Sequence, residues 1–236
     1  MSQSFFRFKQ FTIHQDACAM KVGTDGVLLG VLADVTSANN LLDIGTGTGL
    51  VSLMLAQRKP SLQIDAIEID ADAAQQAQDN ITKSPWPHIQ VHCTPLQTYQ
   101  PTTRYQLIVS NPPYFVNSLK NPNAERATAR HTDSLSFQEL LEGVDRLLQP
   151  TGQFWVILPH NEQKNFCQLA QEKGLFVQQL IHIHSRANKP PKRIVMAFAR
   201  TQTTAQEEHL IIEEEQRHHY SAAFTQLTAP FYLDRD

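Results

Sequence analysis

Hydrophobic and polar positions form two kinds of pattern along the chain. Phe6 and Phe8, and then Phe11 and Ile13, are spaced two positions apart with polar residues between them, which predicts a short hairpin. Residues 24–32 then carry apolar side chains at helical spacing, with Thr24 as the expected helix cap. We interpret residues 1–35 as an N-terminal extension that packs on a core domain of residues 36–236.

From residue 41 onward, strand-like and helical patterns alternate. Apolar runs of strand length occupy residues 41–45, 62–68, 89–93, 105–110 and 153–158, and helical patterns occupy residues 50–58, 71–83, 137–148 and 161–173. This alternation predicts an α/β fold with a doubly wound, mostly parallel, seven-stranded sheet of the Rossmann-like type. Residues 176–184 and 193–200 lack an intervening helix, which predicts an antiparallel hairpin at the sheet edge. Residues 207–215 fit either a helix or a strand.

Composition narrows the class of protein. The chain has 236 residues, of which 41% are hydrophobic and 18% charged, and its net charge is -3. These values exclude wholesale disorder and a globally basic nucleic-acid binder, but they allow a local basic face. The sequence has neither a long apolar run nor the start of a secretory signal, and its three cysteines are typical of reduced thiols. We therefore expect a cytoplasmic protein with no membrane partner.

A glycine-rich loop follows the first strand of the predicted sheet. Glycines at 45, 47 and 49 allow a sharp turn and the close approach of a ligand to the backbone, at the N-terminus of the next helix. A dinucleotide fingerprint needs glycine at position 50, which is leucine here. Glu68 ends the next strand, where a carboxylate can accept hydrogen bonds from ribose hydroxyls. The alternative is a tight turn that binds no ligand.

The spacing of the three glycines and the acidic residue at the end of the next strand together resemble the S-adenosylmethionine site of class I methyltransferases. The resemblance implies a cofactor-binding set of Asp43, Gly45, Thr46, Gly47, Thr48, Gly49, Glu68 and Ile69. The loop after the third strand lacks the acidic residue that often binds the adenine amino group in this fold. Recognition of the cofactor's adenine is therefore left to backbone groups or to packing around Leu96.

Asn111, Pro112, Pro113 and Tyr114 end the fourth strand of the predicted sheet, at the same edge as the glycine loop. An amino group on a base or an amide is a poor nucleophile because its lone pair is delocalised. The Asn111 side-chain oxygen and the Pro112 carbonyl can accept its two N–H groups, while the prolines fix the backbone and Tyr114 offers a stacking face. This motif resembles that of amino-nitrogen methyltransferases, and the alternative is a rigid strand-end turn.

Further segments narrow the resemblance to one family. Residues 8–16, 19–30, 126–131 and 231–233 are similar to those of the bacterial valine-tRNA (adenine-37-N6) methyltransferases. The resemblance implies N6-methylation of the adenine next to the anticodon, a tRNA substrate, and contacts of Thr24 and Asp25 with the methionine end of the cofactor. Three alternatives stay open: a protein-glutamine methyltransferase, an rRNA guanine-N2 methyltransferase, and a scaffold without turnover. We expect a monomer.

Two basic tracts are candidates for binding RNA phosphates. The first contains Lys120, Arg126 and Arg130, and the second, from 186 to 200, contains Lys192 and Arg193 and no acid. The alternative for each is a solvated loop.

Histidines also suggest a metal site. His182 and His184 face one side of a predicted strand, but no cysteine or acid accompanies them at ligand spacing. The sequence therefore predicts no metal.

Overall fold

The computed structural model describes residues 4–18, 21–113, 135–215 and 219–233. Ten strands are present there: β1 (Phe5–Arg7), β2 (Thr12–His14), β3 (Asn40–Ile44), β4 (Gln63–Glu68), β5 (Gln90–Cys93), β6 (Tyr105–Ser110), β7 (Leu148–Pro159), β8 (Phe176–Arg186), β9 (Arg193–Ala199) and β10 (Gln206–Glu213). The described helices are α1 (Thr24–Leu32), α2 (Leu50–Arg58), α3 (Ala71–Thr82), α4 (Phe137–Leu147), α5 (Gln163–Glu172) and α6 (Ala222–Thr228).

Eight of these strands form one mostly parallel sheet. Its order is β10-β8-β9-β7-β6-β3-β4-β5. β9 runs antiparallel to its neighbours β7 and β8, whereas the other pairings are parallel. The predicted doubly wound α/β fold and its antiparallel hairpin are therefore confirmed. The sheet has eight strands instead of seven, because the acidic segment that fitted either a helix or a strand becomes β10 beside β8.

Both faces of the sheet are buried. Successive residues of β7 alternate between two apolar clusters, with Phe154 in one and Trp155 in the other. Helices α1, α2 and α6 contribute to the Trp155 cluster, and α4 and α5 to the Phe154 cluster. Covering both faces explains why the strands are almost continuously apolar. None of the helices in the described part of the chain has the length and apolar character needed to cross a bilayer.

The N-terminal residues pack on the same core as α1 and α2. β1 and β2 form a separate two-stranded antiparallel sheet. Ile13 of β2 and the turn residues Phe8 and Phe11 join the Trp155 cluster. The buried Asn80 side chain on α3 holds this segment by bonding both the N–H and the carbonyl of His14 at 2.9 Å. Gly23, not Thr24, occupies the N-cap position of α1, with no side-chain capping bond. The predicted boundary at residue 35 stays a prediction.

Candidate functional site

Four parallel strands end side by side at one edge of the sheet. Ile44 at the end of β3 pairs with Ser110 of β6 and with Ile67 of β4, and Glu68 pairs with Cys93 of β5. The Ser110 hydroxyl donates to the Ile44 carbonyl at 3.0 Å, which ties the two strand ends together. The glycine loop and the Asn111 motif therefore start from adjacent positions, as the predicted topology requires.

A cavity of about 250 Å³ opens at this edge. Six separate segments of the chain line its wall: Cys18; Ile44, Gly45 and Gly47; Ile67, Glu68, Ile69, Asp70 and Ala73; Thr94, Pro95, Leu96 and Gln97; Ser110, Asn111, Pro112 and Pro113; and Leu135 and Glu139. Gly45, Gly47, Glu68 and Ile69 of the expected cofactor set, and three residues of the Asn111 motif, thus share one wall.

The glycine loop has left-handed backbone angles where it meets the cavity. The φ angles of Gly45 and Gly47 are 71° and 55°, values that side chains disfavour. A Cβ atom added at either position would meet no protein atom within 4 Å. Gly49, with φ of 81°, is the N-cap of α2 and does not line the cavity. The first two glycines therefore leave room for a ligand against the backbone.

Asp43 supports this loop from behind the cavity wall. Its carboxylate is buried and accepts bonds from the hydroxyls of Thr46 and Ser52, both at 2.7 Å. Burial raises the pKa of Asp43 to about 6, against the opposing effect of the two hydroxyls. Thr46 and Thr48 are likewise buried and are absent from the lining. The bonds of Asp43 to Thr46 and Ser52 hold the loop in shape, and direct contact of Asp43, Thr46 and Thr48 with a cofactor stays a prediction.

Glu68 connects the glycine loop to the end of β4. One carboxylate oxygen accepts the Gly47 N–H at 2.9 Å, and the other accepts the N–H groups of Ile69 at 2.9 Å and Asp70 at 3.1 Å. A carboxylate offers about four acceptor positions, so roughly one remains for a ligand hydroxyl. Half-buried on the cavity wall, Glu68 shapes the loop, and its contact with a ligand stays a prediction.

The Asn111 motif lies beside the first turn of α1. A Cβ atom on Gly26 would stand 3.9 Å from Asn111 Nδ2 and 3.0 Å from a Leu50 methyl carbon, so a side chain at position 26 would crowd this contact. Pro112 is buried and Pro113 is exposed at the cavity wall. Tyr114, the expected stacking residue, falls outside the described residues.

Two predicted sites meet at the start of α1. Asp25, expected near the cofactor, pairs with Arg193, expected to bind RNA, at 2.8 Å. Thr24 is exposed, and neither Thr24 nor Asp25 belongs to the cavity lining. Lys192 is exposed on the loop before β9. Lys120, Arg126 and Arg130 lie outside the described residues.

Comparison with known proteins assigns the family. Residues 20–173 match the family model for the methyltransferase small domain. A curated protein of Bacteroides fragilis, named tRNA1(Val) (adenine(37)-N6)-methyltransferase, is 49% identical over 237 residues and covers 99% of both chains. This chain belongs to that methyltransferase family. A relative of the same name from Pseudoalteromonas translucida is 44% identical over 230 residues, covering 98% of this chain and 99% of its own.

Solved structures support the fold of this family member at much lower identity. A predicted O-methyltransferase from Agrobacterium tumefaciens superposes with a TM-score of 0.67 at 17% identity, over 90% of this chain and all of its own. TrmN from Thermus thermophilus gives a TM-score of 0.52 at 16% identity, over 75% of this chain and 48% of its own. At these identities the likeness concerns the fold alone.

The methyltransferase cavity includes a wall that sequence reasoning left open. Thr94–Gln97 form it, and Arg146 of α4 anchors it by donating to the carbonyls of Leu96 at 2.7 Å and Tyr99 at 2.6 Å. Topology could have predicted this wall, because the loop after β5 must lie at the same edge of the sheet as the ends of the other parallel strands. Cys18 was missed altogether; burial and the nearby acids Glu68 and Asp70 raise the pKa of its thiol to about 11, so it is neutral.

Proposed function

We propose that this chain transfers a methyl group from S-adenosylmethionine to N6 of adenine 37 in a valine tRNA. One observation carries the chemistry: Asn111, Pro112 and Pro113 line the same cavity as Gly45 and Gly47. An amine-orienting motif and a cofactor-type glycine loop are thereby held within reach of each other. The names of the full-length relatives supply the choice of base and tRNA.

The cavity walls fit the proposed cofactor. S-adenosylmethionine supplies an electrophilic sulfonium methyl group. Gly45 and Gly47 leave space for its chain beside the backbone, and the remaining acceptor position of Glu68 suits a ribose hydroxyl. Thr94–Gln97, anchored through Arg146, provide an ordered wall for the cofactor's adenine.

On the substrate side, Asn111 and Pro112 orient the amine of the target base. The Asn111 side-chain oxygen and the Pro112 carbonyl accept its two N–H groups, which localises the nitrogen lone pair and aims it at the methyl group. The prolines hold these acceptors in place, and Tyr114 stacks on the base. As the methyl group passes from sulfur to N6, the positive charge passes with it to the nitrogen, which then loses one proton to water. Alignment dominates the barrier, so no general base is required for the transfer itself.

Basic side chains outside the cavity bind the tRNA backbone in this proposal. Lys120, Arg126 and Arg130 belong to one tract, and Lys192 and Arg193 to the other. Such contacts add affinity and position without reading sequence. A tRNA substrate also suits a cytoplasmic enzyme, and we propose that it acts as a monomer.

Single-turnover methylation with both substrates saturating tests the proposal. We expect N6-methyladenosine at position 37, detected by nucleoside mass spectrometry, and a rate for Asn111→Ala that is lower by roughly 10²–10³. Asn165→Ala, an exposed position on α5, is the matched control and should keep the wild-type rate. Methylation of guanine or of protein glutamine by the same chain would contradict the choice of substrate. An Asn111→Ala rate equal to the wild-type rate would contradict the amine-orienting role.

A further inference from the structure

A group of histidines and a carboxylate lies on the sheet at the pairing of β8 and β10. His182 and His209 are register partners on these strands, and Glu207 precedes His209 by two residues and shares its face. One ring nitrogen of each histidine and one oxygen of Glu207 lie within 4.8 Å of one another. The ligand partners of His182 thus come from the neighbouring parallel strand. The expectation that no acid accompanies this histidine was wrong.

Hydrogen bonds fix the tautomer of His209. The Lys189 carbonyl can only accept, so His184 Nδ1, at 2.8 Å from it, must donate. When the His184 ring carries only this proton, its Nε2 atom accepts, and that atom lies 2.9 Å from His209 Nδ1. His209 Nδ1 is therefore the donor in that contact, and the Nε2 atom of His209 carries a lone pair. This is the protonation state that a metal-binding imidazole needs.

His182 lies on the buried side of the group and has a hydrogen-bond partner at each ring nitrogen. Its Nδ1 atom lies 3.0 Å from Nε2 of His160, and its Nε2 atom lies 2.7 Å from Glu207 Oε1. Because the carboxylate can only accept, His182 Nε2 donates to Glu207 here. An ion at this place would displace that proton, and the ring would then donate from Nδ1 to His160. Metal-binding histidines almost always donate their second N–H in this way, which orients the ring.

We propose that His182, Glu207 and His209 bind one Zn²⁺ ion, which fastens β10 to β8. Two imidazoles and a carboxylate form a ligand set that zinc prefers, with water at the fourth tetrahedral position. The His182 side chain is 8% exposed and holds its place, whereas that of Glu207 is 60% exposed. Glu207 and His209 are exposed, so their side chains can adjust around an ion, and the His209 ring already stacks on that of His182 with the centroids 4.8 Å apart.

The proposed ion has a structural role. Among the strands that the structure describes, β10 lies at the edge of the sheet with β8 as its neighbour, and three strands of the sheet order separate β10 from β6 and its Asn111 motif. A ligand from β8 and two from β10 cross-link the edge strand to this neighbour. An ion that binds the folded chain alone raises its stability by mass action.

Zinc titration of the full chain, stripped with a chelator and dialysed, tests the site. We expect one Zn²⁺ per chain by calorimetry, at least tenfold weaker binding in Glu207→Gln and His209→Gln, and a rise in Tm with zinc that these variants lose. His88→Gln changes an exposed histidine before β5 and should behave as the wild type. Co²⁺ should give the absorption of a four- or five-coordinate site. Absence of saturable 1:1 binding, or wild-type affinity in both cluster variants, would overturn the proposal.

Discussion

Two carboxylates on neighbouring strands act on the glycine loop from different sides. Asp43 accepts hydrogen bonds from the hydroxyls of Thr46 and Ser52 away from the cavity, and Glu68 accepts one from the Gly47 N–H at the cavity wall. The loop is thus shaped by polar bonds within the protein before any ligand arrives, and binding needs little further ordering of its backbone.

Glu68→Ala should lower the affinity for S-adenosylmethionine at least tenfold. The substitution removes both the proposed ribose contact and the acceptor of the Gly47 N–H, each a charge-assisted bond worth roughly 1.5–3 kcal/mol. Glu68→Gln retains an acceptor for Ile69 and Asp70 and should lie between Ala and wild type. Calorimetry measures the three affinities, with Glu172→Ala, exposed at the end of α5, as the control. A change of less than threefold in Glu68→Ala would remove this residue from the cofactor site.

Asp43 should make stability depend on pH. Its folded-state pKa of about 6 exceeds the value near 3.8 that it has when unfolded, so protonation favours the folded state. This stabilisation is fully present below about pH 4 and is lost as the pH rises through 6. From pH 7 to pH 4.5 the wild type should therefore gain about 2 kcal/mol of unfolding free energy over Asp43→Asn.

Urea unfolding of both chains at the two pH values measures the gain of the wild type over Asp43→Asn. The contributions of the other acidic groups cancel in this difference, because the wild type and Asp43→Asn share them. Exposed Asp72→Asn serves as the control and should show no such gain. A difference between wild type and Asp43→Asn that stays constant with pH would contradict the raised pKa.

At the scale of elements, the connections carry the proposed function while the strands hold them in place. The β3–α2 loop contains left-handed glycines that face open space, and the β5 loop is held by Arg146. The β8–β9 loop is different, because it is exposed and basic. The arginines at its two ends are neutralised, with Arg186 at 3.5 Å from Glu213 and Arg193 at 2.8 Å from Asp25.

Gly47→Val should abolish measurable cofactor binding while the chain still folds. The branched side chain would occupy space where no protein atom lies within 4 Å and would strain a φ angle of 55°. Gly174→Val is the matched control, since Gly174 also has a positive φ of 68° and open space but follows α5 outside the cavity lining. Both variants should lose a similar amount of stability in thermal melts, and only Gly47→Val should lose affinity in calorimetry. Equal affinities would exclude the loop from the site.

Charge reversal on the β8–β9 loop should weaken tRNA binding through its lysines. Lys189 and Lys192 are exposed and form no ion pair among the described residues. Lys189→Glu with Lys192→Glu should raise the Kd for tRNA and reduce the slope of log Kd against log salt by roughly one for each phosphate that the loop no longer neutralises.

Filter binding at several salt concentrations measures that slope for the double variant. Lys164→Glu, at an exposed position of α5, serves as the control. The affinity for S-adenosylmethionine should be unchanged in every variant. An unaltered slope would identify the loop as merely solvated.

At the scale of the whole molecule, periodicity and topology predicted most of the architecture. Alternating apolar blocks were enough to place the glycine loop and the Asn111 motif at one edge, because parallel strands must end together. The sequence did not predict which distant side chains and strands lie next to each other. The second basic tract contains no acid in the sequence, yet Asp25, Asp145 and Glu213 reach its arginines from distant elements. The pairing of β10 with β8, which gathers His182 and His209, is likewise a long-range parallel contact without a local signal.

The sheet order also constrains how the chain is assembled during synthesis. β8 leaves the ribosome before either of its neighbours, since both β9 and β10 follow it in the sequence. β9 must then insert between β7 and β8, so the parallel strands on either side of it stay apart until residue 199 has emerged. A nascent chain halted before Arg193 exposes both edges of an eleven-residue strand. Unpaired strand edges recruit other chains, so release of a truncated product at this point favours aggregation.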